Sequence, residues 1–289
     1  MISIILILLF VFSVLSVPVC HGVISGLYLY GMKIFPGLFI SFILTNILVR
    51  ILQQKNINNP WILVITGLMT GFPNGAYICS WYNKNNPKNR LGDMLAGIIN
   101  IPSPAFLISY VYINILEKCI SLPVFLALTY TPVILCSYMV ILLFRDKDNK
   151  KNKASHIKND KKLIFHFFEE AVDSSINTAL KLGAYVIIFS VIVNIIMHFS
   201  QGNTAGLLIS YLFEISNGLA IIKNAGIPMN ITVLLTVLLD AFGGVCIIMQ
   251  TKSICSSYIS IKKYIYQKLV LCIVTLAMTY LLIYVLNIL

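Results

Sequence analysis

The chain has 289 residues, 58% of them hydrophobic and only 11% charged, with a mean hydropathy of +0.89. That composition excludes an ordinary soluble domain and reads as a multi-pass membrane protein. The formal charge of +11 does not indicate a nucleic-acid partner, because the basic residues cluster between apolar runs, where the enrichment of Lys and Arg in cytoplasmic loops accounts for them.

A spanning helix needs about twenty apolar residues. Nine runs come near that length: 2–20, 27–52, 61–82, 91–116, 122–144, 171–199, 205–222, 231–253 and 265–289. The first lacks the basic start of a secretory signal and is read as a first spanning helix. Between the fifth and sixth lies the one long polar connector, carrying Arg145, Lys147, Lys150, Lys151, Lys153, Lys158, Lys161 and Lys162. So dense a run reads as a solvated cytoplasmic loop. The chain therefore divides into a first transmembrane repeat with an extra N-terminal helix (1–144), a basic cytoplasmic loop (145–163) and a second transmembrane repeat (164–289).

The third run contains Gly67, Gly71 and Gly75 at every fourth position, with Pro73 among them. Proline removes a backbone donor and blocks a helical hydrogen bond, so a helix broken near residues 71–73 is expected. Hydrocarbon cannot satisfy the freed backbone groups, so the break must be buried in protein or line a wet cavity. Similar interruptions stand at Pro102-Ser103-Pro104 and at Gly243-Gly244.

The two halves echo each other. Lys33 to Pro36 corresponds to Lys181 to Ala184, Thr70 to Gly75 to Phe213 to Gly218, and Asn100 to Pro104 to Asp240 to Gly244. Matches in order, separated by about half the chain, argue for the internal duplication that secondary transporters use. The fold expected is an all-α polytopic membrane protein with two inverted repeats and broken and re-entrant helices. Charge placement favours a version in which 91–116 and 231–253 dip into the membrane and return, while 61–82 and 205–222 cross it. Lys223 then lies on the cytoplasmic side, and Lys84, Lys88 and Arg90 on the other.

Candidate site residues follow from the breaks. Half-helix N-termini aim free amides inward and favour a carboxylate, with Thr70, Gly71, Asn74, Gly75, Asn100, Ser103, Ser216, Asn217, Gly243, Gly244 and Gln250 around them. Lys33 and Lys181 hold matched positions, either as point charges for a dianion or snorkelling to the interface. Glu214 sits inside an apolar run, where an ionised group costs about 2.5–3.5 kcal/mol, and is either a coupling or gating candidate or a structural partner of a lysine or of broken-helix amides. Asp240, read as the N-cap of the half-helix before Gly243, is a weaker one. The Tyr and Phe residues read as interfacial belt and lipid-facing surface. The seven cysteines form no Cys-x-x-Cys pair and no zinc spacing, and no nucleophile–base set or phosphate loop is found. The expectation is a protein that is not an enzyme and binds no cofactor or metal.

The stretches Lys33 to Pro36, Thr70 to Ala76, Asn100 to Phe106, Phe189-Ser190-Val191, Glu214 to Gly218 and Phe242 to Gln250 together resemble the sporulation integral membrane proteins of YlbJ type. These belong to the nucleoside-recognition or gate group, shared with parts of concentrative nucleoside transporters. Thr70 stands where that family usually has serine, Tyr77 where a lysine often follows, and Phe242-Gly243-Gly244-Val245 where Ser-Gly-x-Ser is usual. The resemblance implies transport of dipicolinic acid across the outer forespore membrane. Two further readings stay open: transport of nucleosides or another small solute, and a non-transport role in assembling the spore envelope and its cortex. Partners are then an anionic solute, membrane lipid, and copies of the chain or other sporulation membrane proteins.

Overall fold

The computed structural model describes residues 2–55, 59–86, 90–144, 161–255 and 258–285, which form helices and short connectors. The connector 145–160 lies outside them. Helix α1 (Ile2–Val14) is followed by α2 (Ser16–Tyr28), a π-helical stretch Leu29–Ile34 and α3 (Phe35–Lys55). Then come α4 (Pro60–Thr70), α5 (Asn74–Asn85), α6 (Leu91–Ile99), α7 (Pro104–Phe106, running on as π-helix Leu107–Ile115) and α8 (Leu122–Phe144). The second half comprises α9 (Lys161–Ser200), α10 (Thr204–Phe213), α11 (Ile215–Asn224), α12 (Met229–Phe242), α13 (Gly244–Cys255) and α14 (Ile261–Tyr280, extended as Leu281–Val285).

Among the described residues five helices are long and apolar enough to cross a membrane, and a sixth span results if Ser16–Ile34 and Leu38–Ile51, bent by 61°, count as one. The bend falls at Pro36, the residue type that ordinarily kinks a helix. The expected first span, 2–20, is divided: α1 stops at Val14, and residues 16–20 begin α2.

The expectation of which segments fold back is reversed. Helices α4 and α5 have 11 and 12 residues, roughly 17 Å each at 1.5 Å per residue, about half the hydrocarbon core. They pack against each other, as do α10 and α11. A β-carbon added to Gly218 would lie 2.6 Å from the Tyr211 carbonyl oxygen. Residues seven apart in a straight helix are separated by about 10 Å, so the chain reverses at Glu214. Runs 61–82 and 205–222 are thus hairpins, hereafter the first and second hairpin. Conversely, Leu91–Ile115 and Met229–Cys255, of 25 and 27 residues, each continue through their breaks as one span. Their two limbs take different neighbours: α12 packs on α14, whereas α13 packs on α9, α10 and α5. We call these spans the first and second interrupted rod. Each half therefore presents the same order: a long helical segment, a hairpin, an interrupted rod and a long straight helix.

The helices bring distant loops to two opposite ends. At one end the Asn83 amide donates to the Tyr258 carbonyl at 3.0 Å, and Lys263 pairs with Asp93 at 2.8 Å. Arg50 pairs with Glu170 near the start of α9. At the other end Lys223 pairs with Glu117 at 2.7 Å. Lys223 lies there because the second hairpin returns to the end it entered from, and not beside the basic connector as expected.

Small residues let α2 approach α9 closely. On α2, β-carbons at Gly22 and Gly26 would lie 2.5 Å from the Val191 Cα and 2.8 Å from the Ile187 Cα of α9. Backbone-to-backbone approach of this kind supplies the dispersion contacts that hold helices together in lipid.

Candidate functional site

Each hairpin tip rests on the interruption of the rod that follows it. Gly71 ends α4 with φ +73°, a conformation costly for any residue with a β-carbon. It packs directly on the Ser103 backbone, and a cis Phe72–Pro73 peptide leads on to α5. In the second half, a β-carbon at Gly244 would lie 3.2 Å from the Leu212 and Phe213 carbonyl oxygens. The halves also touch each other. The Phe72 ring lies on Gly243, and the Tyr110 hydroxyl donates to the Ser216 carbonyl at 3.2 Å.

The first rod breaks because Pro102 and Pro104 cannot donate. Ser103 caps the new helix, its hydroxyl accepting from Phe106 N at 3.3 Å, with Pro104 at the favoured first position. Asn100 ties the break together. Its side-chain carbonyl accepts from Ala76 N at 3.3 Å, and its amide donates to the Thr251 hydroxyl at 3.3 Å and the Tyr264 hydroxyl at 2.8 Å. The second rod breaks at Gly243 and Gly244, with φ of +82° and +83°.

Between these pieces lies a cavity of about 40 Å³, room for roughly three waters at 10–15 Å³ each. One wall is apolar and comes from the long segments: Tyr30, Ile34, Leu38, Leu182 and Val186. The other comes from the tips and breaks: Phe72, Pro102, Ser103, Phe106, Glu214, Ile215, Ser216, Ile247 and Gln250. Glu214 is 2% exposed and caps α11, its carboxylate accepting from Asn217 N at 2.8 Å. The Gln250 amide donates to Cys246 Sγ at 3.2 Å, and its carbonyl oxygen is buried with no partner among the described residues.

Of the residues singled out in the sequence, Ser103, Glu214, Ser216 and Gln250 line the cavity. Gly71, Gly75, Asn100, Gly243 and Gly244 form the breaks around it. Thr70 bonds back to its own helix, at Thr66 O. The Asn74 amide reaches the Thr45 hydroxyl at 3.5 Å, and the Asn217 amide donates to the Ser190 hydroxyl at 3.1 Å. Lys33 and Lys181 are exposed and lie off the cavity lining. Lys181 stands where the polar first part of α9 meets its apolar remainder, a snorkelling position.

Two expectations need correction. Three of the half-helix amides are not free: Ala76 N is bonded to Asn100, Asn217 N to Glu214, and Phe106 N to Ser103. Asp240 is not an N-cap. It lies in the last turn of α12, fully buried, and neither carboxyl oxygen has a partner among the described residues.

The sequence reading missed Lys268 and Tyr264, both fully buried on α14, and the aromatic residues Tyr30, Phe72 and Phe106 at the cavity. The missed signal is a helical spacing: Tyr264, Gln267, Lys268, Leu271, Thr275 and Thr279 form one buried face. Among the described residues no group of His, Cys, Asp and Glu is placed to hold a metal ion. Compared with models of known protein families, with curated proteins and with solved structures, the chain has no match.

Proposed function

We propose that the protein is a proton-coupled membrane transporter of a small carboxylate, working at the cavity between the hairpin tips and the interrupted rods. The observation that carries this reading is Glu214. A carboxylate held at a helix N-terminus occupies the place an anionic ligand would take, and it does so on a buried cavity wall. Ionised, it repels a second anion and keeps the α11 amide engaged. Protonated, it gives up that repulsion and offers an O–H donor, while the α11 amide becomes available to the solute. One proton therefore accompanies each carboxylate bound.

Dipicolinate is the solute that the resemblance to the sporulation proteins implies. The cavity is too small for an aromatic dicarboxylate, so this reading includes opening of the hairpin tips away from the apolar wall. It also assigns orientation. Arg50, Lys84, Arg90, Lys252, Lys262 and Lys263 lie at the end carrying the basic connector, against Lys118 and Lys223 opposite. The positive-inside rule then makes the connector end cytoplasmic; the first hairpin enters from that end and the second from the opposite one, the arrangement an inverted repeat would have.

The test is uptake of labelled dipicolinate into proteoliposomes under an imposed pH gradient. Glu214→Gln keeps an acceptor for Asn217 N, so the variant inserts and stays folded. It is expected to lose gradient-driven accumulation, the solute reaching no more than its equilibrium level. Accumulation equal to wild type removes Glu214 from the mechanism. Efficient uptake of nucleosides with none of dipicolinate transfers the solute assignment to that class.

A further inference from the structure

Among the described residues, the one buried lysine sits where two helices end. Lys268 has 0% relative exposure. Its Nζ donates to the Asn100 carbonyl, which closes α6 at the break of the first rod, and at 2.8 Å to the Ala241 carbonyl in the last turn of α12 at the break of the second. Both belong to the final carbonyls that a helix leaves without internal partners. Each helix C-terminus carries about half a negative charge, so two converging ends offer roughly one unit. The Phe72 and Tyr264 rings stand with centroids 5.9 Å from Nζ, within cation–π range. No carboxylate among the described residues forms an ion pair with it.

The surroundings of Nζ are thus carbonyl oxygens and aromatic faces, the surroundings of a cation, assembled from both interrupted rods. In transporters with broken helices, unwound carbonyls and half-helix C-termini of this kind coordinate the coupling sodium ion. We infer that the Lys268 ammonium is a tethered cation in that position: it clamps the two interruptions together and removes the need for a metal ion there. Lys268 does not line the cavity, so it is a positioning residue and not a ligand of the solute. The consequence for coupling, that sodium is dispensable, rests on the transporter reading; the clamp itself does not.

The experiment is thermal unfolding of the purified protein in detergent, in sodium, potassium or choline chloride at one ionic strength. Wild type is expected to unfold at the same temperature in all three. Lys268→Ala is expected to unfold at least about 4 °C lower, the size of a loss of one or two contacts in a chain this long. Methylammonium, which can enter the vacated space, is expected to restore part of that loss, whereas choline is too large. Lys268→Met fills the space without a charge and is expected to be destabilised and not rescued. Two results overturn the inference: stabilisation of wild type by sodium over choline, or variants that unfold like wild type. Should neither variant yield folded protein, the wild-type salt series still decides, since sodium stabilisation overturns the clamp and indifference supports it. None of these readouts involves flux, so their failure leaves the transporter reading standing, and failure of flux leaves the clamp standing.

Discussion

Replacing Asn100 tests whether the break in the first rod is a built junction or a passive gap. Asn100→Ala deletes three hydrogen bonds, to Ala76 N, the Thr251 hydroxyl and the Tyr264 hydroxyl. Side-chain hydrogen bonds between membrane helices average about 0.6 kcal/mol each in double-mutant cycles, which gives about 2 kcal/mol. The Ala76 N–H is also left buried, and an unsatisfied buried donor costs about 1–3 kcal/mol. The expected loss is therefore about 2–4 kcal/mol, with some overlap between the two contributions. The assay is reversible unfolding in mixed micelles by titration with a denaturing detergent. Tyr264→Phe removes the bond to Asn100 and an interaction with the Thr251 hydroxyl and is expected to cost about 1 kcal/mol. The pair should then couple by about 0.6 kcal/mol, because the Asn100–Tyr264 bond can be lost only once. An Asn100→Ala protein within about 0.5 kcal/mol of wild type, the usual span of inert surface changes, would refute the reasoning: the junction would not depend on Asn100.

Gly71→Ala combines a positive-φ, extended-ψ backbone that is essentially glycine's alone, costing about 1–3 kcal/mol, with a clash against the Ser103 backbone; folded yield should fall sharply, and normal yield would contradict the packing of tip on break. In a cysteine-free background, Lys84→Cys and Lys262→Cys should react with an impermeant maleimide from one side of the membrane and Lys223→Cys from the other. Labelling of Lys84→Cys and Lys223→Cys from the same side would exclude the hairpin arrangement. Lys223 holds the Glu117 carboxyl below its ordinary value of 4.5. The resulting stabilisation is present above that value and lost as the pH falls through the lowered one; Glu117→Gln should flatten the acid limb of the melting-temperature profile, and an unchanged limb would remove the pair from it.

The positions of the breaks were legible in the sequence, and the direction of the chain after them was not. Pro73, Pro102, Pro104 and Gly243 interrupt helices by their covalent structure, so their effect does not depend on the rest of the fold. Whether the chain then reverses depends on packing between limbs. Run 61–82 is as apolar and as long as a span, and hydropathy does not distinguish two stacked half-length limbs from one rod. Gly218 against the Tyr211 carbonyl decides the matter for the second hairpin, and that contact exists only in three dimensions. The same holds for the site. Glu214 announces itself as a charge in an apolar run. Lys268, close behind Lys262 and Lys263, looks like the tail of a loop cluster until its buried helical face is seen. The charge argument failed at Lys84, Lys88 and Arg90 for a related reason. It was applied to the wrong pair of re-entrant segments; with 61–82 and 205–222 folded back, Lys84 and Arg90 join Arg50, Lys262 and Lys263 at one end, and Lys88 lies outside the described residues.

The cavity's two walls differ in a way that bears on movement. Ile34, Leu38, Leu182 and Val186 present only hydrocarbon, and the Tyr30 hydroxyl on the same side is engaged by the Ala179 carbonyl at 2.5 Å. This surface of cavity-facing side chains grips by dispersion alone, and the directional bonds between the hairpins and the long segments lie beside the cavity, from Asn217 to Ser190 and from Asn74 to Thr45. The glycine-faced seam between α2 and α9 keeps that surface rigid. Under the proposed transport reading, the tips and breaks would move as one polar carriage held together at Asn100 and Lys268, and those two bonds to Ser190 and Thr45 would have to be exchanged.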